Sequence, residues 1–415
     1  MKFSAFGERF INDTGIKDLV DDLGKYAGLE GTIMLGGGNP ALIPEVNEIW
    51  RNRMAEILKN GDQLQKMLGL YGTSIGSIKF FDALAELLSR EYGWPVTGKN
   101  IAVINGSQTS CFLLYNMLSG RMPDGASGKI LLPLMPEYIG YADQSIDPES
   151  FVSFRPGIND YAPNMFKYQV DFDRINMNGV NAITASRPTN PTGNVLTDDE
   201  VSRLSELAAE HEIPLILDNA YGLPFPGIIF EDVKPVWNEN IVLSMSLSKI
   251  GLPATRTGII VANEKMIEAL SAMSAVVSLA PSGVGQEMVL PMLEDGSLID
   301  ISRDIVMPYY RAKSRQTIKY IKESFGSLDY SIHKSEGAIF LWLWFKDLGS
   351  GSVNLYNRLK KRGVIIVPGE YFFFGLPEED EAWEHRHQCI RVNYSQDFSD
   401  VKRGLDIIAE EAAKG

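Results

Sequence analysis

Ile-Val-Leu-Ser-Met-Ser-Leu-Ser-Lys-Ile-Gly-Leu-Pro-Ala-Thr-Arg-Thr-Gly, residues 241–258, passes from an apolar run into serines, a lysine and a Gly-Pro loop. Residues 241–243 have the aliphatic, β-branched content of a buried strand, and 258–262 read as another. Lys249 stands between them, just beyond a strand end. Such a lysine can be a solvated turn residue. It can also be an amine of depressed pKa, able to form a Schiff base with a carbonyl and to move protons. In that second reading Ser246, Ser248 and Arg256 supply donors and a fixed positive charge for a phosphate.

The same pattern repeats outward along the chain. Residues 101–104 form a short β-rich run that ends in Asn105-Gly106-Ser107 and enters a helical pattern. Runs at 129–132 and 181–185 stop at prolines, and 214–217 ends on Asp218. Between the last two, a helix is predicted over 198–211, capped by Thr197 or Asp198, with apolar positions 201, 204, 207 and 208. Short strands alternating with amphipathic helices predict an α/β domain with a mostly parallel sheet. Ligands of such sheets bind beyond the carboxyl ends of the strands, where the unusual polar residues of this chain cluster. Past residue 300 the character changes: a long helical stretch (301–325), an apolar stretch (331–345), a helix (353–362), strands near 364–367 and 389–392, and a closing helix (400–413). These predict a smaller α+β domain. The expected division is an N-terminal arm belonging partly to the small domain (1–45), a large domain (46–300) and a small C-terminal domain (301–415).

Bulk properties narrow the function classes. A chain of 415 residues suits two domains better than one core. Its net charge of −14 disfavours nucleic acid or an anionic membrane surface as partner. Cys111 and Cys389 are the only cysteines and lie in apolar surroundings, so no disulfide framework and a reduced, cytoplasmic setting are expected. The N-terminal residues carry early charge and no sustained apolar run, so no signal peptide is expected, and no run approaches the length of a membrane helix. His385 and His387 fit one face of a strand, but no further ligands follow at suitable spacing, so no metal site is predicted.

Seven more places carry candidate chemistry. Asp218, in Ile-Leu-Asp-Asn-Ala-Tyr, either caps a turn or pairs with a buried cation such as a protonated pyridine nitrogen. Tyr221 either packs or hydrogen-bonds a ring oxygen. Arg187-Pro-Thr-Asn-Pro-Thr-Gly193 is a rigid loop that holds the Asn190 amide between two prolines, ready to meet a ring hydroxyl. Ser107 and Gln108 open a helix, which favours phosphate but is equally plain capping. Tyr138 either stacks on a flat ring or packs in the core. Arg391 lies inside an apolar strand and must be paired, by a structural carboxylate or by a substrate carboxylate gripped in a fork. The triple glycine 36–38 lacks the dinucleotide spacing and reads as a loop that lets a small ligand approach the backbone.

Taken in order, Asn190, Asp218, Tyr221, Lys249, Arg256 and Arg391 resemble the fold-type-I, pyridoxal-phosphate-dependent aminotransferases, over nearly the whole chain. The resemblance implies that Lys249 carries pyridoxal 5'-phosphate covalently and shuttles the proton. It implies that Asp218 pairs with the ring nitrogen, that Asn190 and Tyr221 hold the ring oxygen, and that Tyr138 stacks on the ring. Ser107, Gln108, Ser246, Ser248 and Arg256 would bind phosphate; Arg391, with Asn190 and the Gly38 backbone, would bind the substrate carboxylate. Tyr71 looks like the tyrosine that reaches the phosphate of a neighbouring subunit, which implies a homodimer acting on amino acids and 2-oxo acids. Arg256 follows Lys249 by seven residues, one fewer than is usual in that family. A lyase on the same scaffold, or a ligand-sensing regulator with an aminotransferase-like body, are the alternatives; the regulator needs an added DNA-binding module, and with no N-terminal extension long enough for one and a net charge of −14 it is not expected.

Overall fold

Eight strands form the central sheet of the computed structural model, which describes residues 1–11, 15–26, 28–29 and 31–415, with 15–20 described by backbone alone. Across this sheet the order is Ile101–Ile104, Gly258–Val261, Ile241–Ser246, Leu215–Asp218, Val180–Ser186, Ser127–Leu132 and Gly120–Arg121, with Phe151–Ser153 also paired to Ser127–Leu132. All six predicted strands of this region are present within a residue or three. Most are parallel and buried on both faces, which is why they read as continuous aliphatic runs. Gly258–Val261 runs antiparallel to both neighbours.

That reversal positions the site. Parallel strands present their carboxyl ends at one edge of the sheet; a reversed strand presents its amino end there. Register places Ser186 beside Asp218, Asp218 beside Ser244, Ser246 beside Gly258, and Gly258 beside Ile104. Arg256, which precedes its strand, therefore reaches the same edge as Gly106 and Ser107, which follow theirs. The helix Asp198–Glu210 covers one face and starts in a capping box: Thr197 Oγ1 accepts from the Glu200 amide, and the Thr197 amide donates to the Glu200 carboxylate.

The second sheet has six strands, in the order Val367–Pro368, Cys389–Asn393, Phe340–Phe345, Tyr330–His333, Met165–Gln169 and Gly157–Ala162. The last two form a hairpin from within the 46–300 stretch, and Ile332 and His333 pair with Met165 and Phe166. Sequence order assigns that hairpin to the large domain; pairing puts it on the C-terminal sheet, because the edge strand Tyr330–His333 offers it a ladder. From the N-terminal arm, Ile33–Met34 pairs in parallel with Val364–Ile365. Among the described residues no helix is long and apolar enough to cross a membrane.

His385 and His387 lie on the helical turn Glu384–His387 and not on a strand. Two residues apart on a helix face nearly opposite ways, so His385 enters the core while His387 Nδ1 meets Glu370 at 2.5 Å. His385 Nε2 lies 2.5 Å from the Tyr168 hydroxyl, and His333 stacks on the Tyr168 ring. Both buried imidazoles are pushed down to about 3 by loss of hydration. A depressed folded-state pKa means that their neutral packing stabilises fully above pH 6.5 and is lost as pH falls toward 3. By pH 5 each histidine should cost about 2 kcal/mol. Urea unfolding at pH 7.5 and 5.0 checks this: between those pH values His385→Gln should lose about 2 kcal/mol less stability than wild type. An equal fall in both proteins would contradict it.

Candidate active site

Twelve of the thirteen residues singled out by sequence line one cavity of 620 Å³ at the carboxyl edge of the central sheet, roofed by the small domain. The exception is Tyr71, which is 85% exposed and stands outside it.

Lys249 is the middle residue of the short 3-10 turn Ser248–Ile250, which follows the strand Ile241–Ser246. Its Nζ donates to the Gly38 carbonyl at 2.6 Å and lies 5.2 Å from the centre of the Tyr221 ring. Burial, and then the nearby positive charges of Arg391 and Arg256, lower its pKa to about 8, against the opposing pull of Asp218. An amine so placed is still mostly protonated at pH 7, but about a tenth of it is neutral, far more than of an ordinary lysine, and that fraction can act as nucleophile and base. Asp218 is buried; its Oδ2 accepts from the Tyr141 hydroxyl at 2.5 Å and its Oδ1 from the Ala220 amide at 2.8 Å. Burial raises its pKa despite both donors, which is the situation of a carboxylate built to meet a cation.

At the other end, the helix Ser107–Leu118 opens with Gly106 as its cap. Its first-turn amides have no intrahelical acceptors and suit an anion. Gly106 has φ +85°, and a Cβ there would lie 2.3 Å from Arg256 Nη2, so only glycine admits the guanidinium at this helix start. Ser248 and Ser246 are joined, Oγ to Oγ, at 3.0 Å, and Ser107 Oγ donates to the Met245 carbonyl. Gln108 is engaged with the Gly140 carbonyl at 3.0 Å. Gly140 also carries the Tyr138 ring: a Cβ would sit 2.4 Å from it.

Arg391 comes from the middle of Cys389–Asn393 in the second sheet. Its Nη1 donates to Asn190 Oδ1 and its Nη2 to the Gly36 carbonyl, both at 2.6 Å, while its guanidinium carbon lies 4.1 Å from the centre of the Phe340 ring. Among the described residues no carboxylate pairs with it, and its buried Nε has no partner. The structural-salt-bridge alternative is thereby replaced by an arginine awaiting an acid. Gly38 turns its carbonyl toward Lys249, so only its amide is left for a substrate carboxylate.

Three polar residues here were not singled out by sequence: Glu137, Tyr141 and Ser186, which link to Asp218. Tyr141 and Ser186 follow or end strands, a signal that could have found them. Apolar walls come from Phe6, Phe10, Leu23, Ile139 and Val367. Phe6 and Phe10 are packed edge to face on the N-terminal helix Ala5–Arg9 and its cap, and Arg9 donates to the Ser145 carbonyl at 2.7 Å. Spacing four residues apart shows that they share a helix face; it does not show what that face covers.

The residue set fits pyridoxal phosphate: an amine of lowered pKa, a buried carboxylate in want of a cation, and a glycine-bounded helix start with an arginine. Comparisons agree. The profile of the family "Aminotransferase class I and II" matches residues 146–408. The valine–pyruvate aminotransferase of Escherichia coli (strain K12) is 46% identical over 99% of this chain and 98% of its own. The crystal structure of valine-pyruvate aminotransferase AvtA from Salmonella typhimurium LT2 superposes with a TM-score of 0.89 at 45% identity, covering 96% of this chain and 99% of that one. A Psychrobacter arcticum 273-4 structure, provisionally described as an amino-acid aminotransferase, superposes at 0.97 with 42% identity over 100% of this chain and 99% of that one. Pyridoxal phosphate is thus the cofactor, the fold is that of the fold-type-I enzymes, and amino acids and 2-oxo acids are the substrates, because this chain belongs to the class I and II aminotransferases.

Proposed function

We propose that this enzyme exchanges an amino group between L-valine and pyruvate, giving 3-methyl-2-oxobutanoate and L-alanine in a ping-pong cycle. The observation that carries this reading is the 46% identity with the E. coli valine–pyruvate enzyme along the whole chain. The cavity supports it: Phe6, Phe10, Leu23, Phe112, Ile139 and Val367 give it apolar walls, and Asp143 and Gln144, which also line it, offer no cation for a second carboxylate. Apolar walls separate substrates differing by one methylene by only ~1–3 kcal/mol, so overlap with 2-aminobutyrate is expected.

When bound, pyridoxal phosphate supplies an aldehyde that condenses with amines and a ring that draws off electron density. The chain's own residues do the rest. Lys249 Nζ would hold the cofactor's aldehyde carbon, and as a free amine it would take and return the proton. Asp218 pairs with the ring nitrogen; the Asn190 amide and Tyr221 hydroxyl hold the ring oxygen; Tyr138 covers the ring face. Ser107, Ser246, Ser248 and Arg256 would receive the phosphate, with Gln108 contributing its backbone amide, since its side chain is held by the Gly140 carbonyl. Arg391, steered by Asn190, grips the α-carboxylate beside the Gly38 amide and so serves amino and oxo acid alike.

A homodimer is part of the same proposal. Leu70, Tyr71 and Ile78 are exposed next to Val276, Val277 and Leu279; Ser274 Oγ donates to the Ser74 carbonyl and the Ser74 and Ser271 hydroxyls lie 2.8 Å apart, which holds these segments together. A second copy would cover this apolar face and bring Tyr71 to the partner's phosphate. We place the enzyme in the cytoplasm, where the buried free thiols of Cys111 and Cys389 stay reduced.

Titrating the holoenzyme with L-valine should abolish the visible cofactor band, and pyruvate should restore it. A band indifferent to valine but bleached by another amino acid would discard the named substrate and keep the chemistry. Release of ammonia in place of stoichiometric alanine would point to a lyase.

A further inference from the structure

Behind Asp218 lies a row of three buried oxygen groups, from Tyr141, Ser186 and Glu137, that the reaction as described does not use. Glu137 Oε2 and Ser186 Oγ are 2.8 Å apart, Ser186 Oγ and the Tyr141 hydroxyl 3.1 Å, and that hydroxyl and Asp218 Oδ2 2.5 Å. Glu137 is 1% exposed and also accepts from the Ser186 and Tyr138 amides at 2.8 and 3.1 Å. Hydrogens are scarce in this row. There are three oxygen–oxygen contacts, but Ser186 and Tyr141 bring one hydroxyl hydrogen each. With both carboxyl groups ionised, Tyr141 donates to Asp218 and Ser186 to Glu137, and the middle contact holds no hydrogen. One added proton completes the row. On Glu137, every hydrogen points toward Asp218; on Asp218, every hydrogen points the other way.

We propose that Glu137 is a positioning residue that shares a single proton with Asp218 through Ser186 and Tyr141, keeping it while Asp218 pairs with the cofactor ring nitrogen. Transfer breaks and forms one O–H bond at each link and conserves charge: the carboxyl that loses the proton gains the negative charge that the other gives up. Surroundings favour retention of one proton. Facing Glu137 are Asp218 across the strand ends, Tyr138 and Tyr141 from its own loop, and Cys111 and Tyr115 from the helix Ser107–Leu118, all neutral or anionic. Burial, opposed by its three donors, leaves Glu137 raised to about 8, and Asp218 is raised as well. An ionised Asp218 with a neutral Glu137 gives the ring nitrogen its anion while avoiding a second buried negative charge.

Infrared spectra of the holoenzyme test this, since a protonated carboxyl has its own carbonyl stretch. At pH 7 that stretch should shift on isotopic labelling of glutamate but not of aspartate, vanish in Glu137→Gln, and fade as pH rises through about 8. Ser186→Ala should move it to higher frequency by removing its acceptor, a change that assigns the band even if Glu137→Gln fails to fold. In parallel, the visible cofactor band should respond to pH between 7 and 9 in wild type and be flat in Glu137→Gln. A stretch carrying the aspartate label, the absence of any such band, or a band unmoved by Ser186→Ala would overturn the proposal.

Discussion

Lys249→Ala should lose turnover by about 10⁴-fold and, at the same time, the visible absorption of covalently held cofactor. Both losses follow from one atom. Among the described residues Nζ is the only lysine amine lining the cavity, 2.6 Å from the Gly38 carbonyl, and the field of Arg391 and Arg256 adds to burial in lowering its pKa. Methyl in its place can neither attach an aldehyde nor carry a proton. The neighbouring serines cannot substitute, since Ser246 and Ser248 are bonded to each other. Single-turnover kinetics with L-valine is the appropriate measurement, because slow product release cannot then disguise the chemical step. Transamination by the variant at more than about a hundredth of the wild-type rate would remove Lys249 from its assigned role.

Arg391→Leu should raise KM roughly a hundredfold for the amino acid and for the oxo acid together. The guanidinium is buried, its Nε has no partner, and no carboxylate among the described residues neutralises it. Removing one member of a buried charge pair costs about 3 kcal/mol, and both substrates present the same α-carboxylate to it. Arg391→Lys should recover only part of the loss, because an ammonium lacks the planar fork. Retention of the cofactor band in Arg391→Leu separates this effect from misfolding. If KM rose for one substrate and not the other, Arg391 would not be their common anchor.

Much of this site is legible in the amino-acid sequence. Strands 101–104, 181–185 and 214–217 can be read because buried parallel strands are continuous aliphatic runs, and their ends can be read because serine, asparagine, aspartate and proline interrupt those runs. Lys249, Asp218 and the Asn190 loop all sit at such interruptions. Arg391 stands out for the opposite reason, as a charge inside an apolar strand. Gln108 shows where local reading stops: a helix-start residue can face an anion, yet its amide here donates to the Gly140 carbonyl from a different loop.

What the sequence determined by itself was therefore the set of reactive groups and the class of fold, since both are encoded within a few residues by hydrophobic period and turn chemistry. Only the tertiary structure decided which groups meet. Arg391 and Asn190, 201 positions apart, come within 2.6 Å because the second sheet packs over the first. The reversed strand Gly258–Val261 brings Arg256 to the start of the helix at Ser107, and the hairpin at 157–169 leaves its neighbours in sequence for a strand near residue 330. Glu137 acquires its place behind Asp218 in the same way, through Ser186 and Tyr141. Strand direction and partner choice depend on surfaces buried between distant segments, and no window of neighbouring residues contains that information.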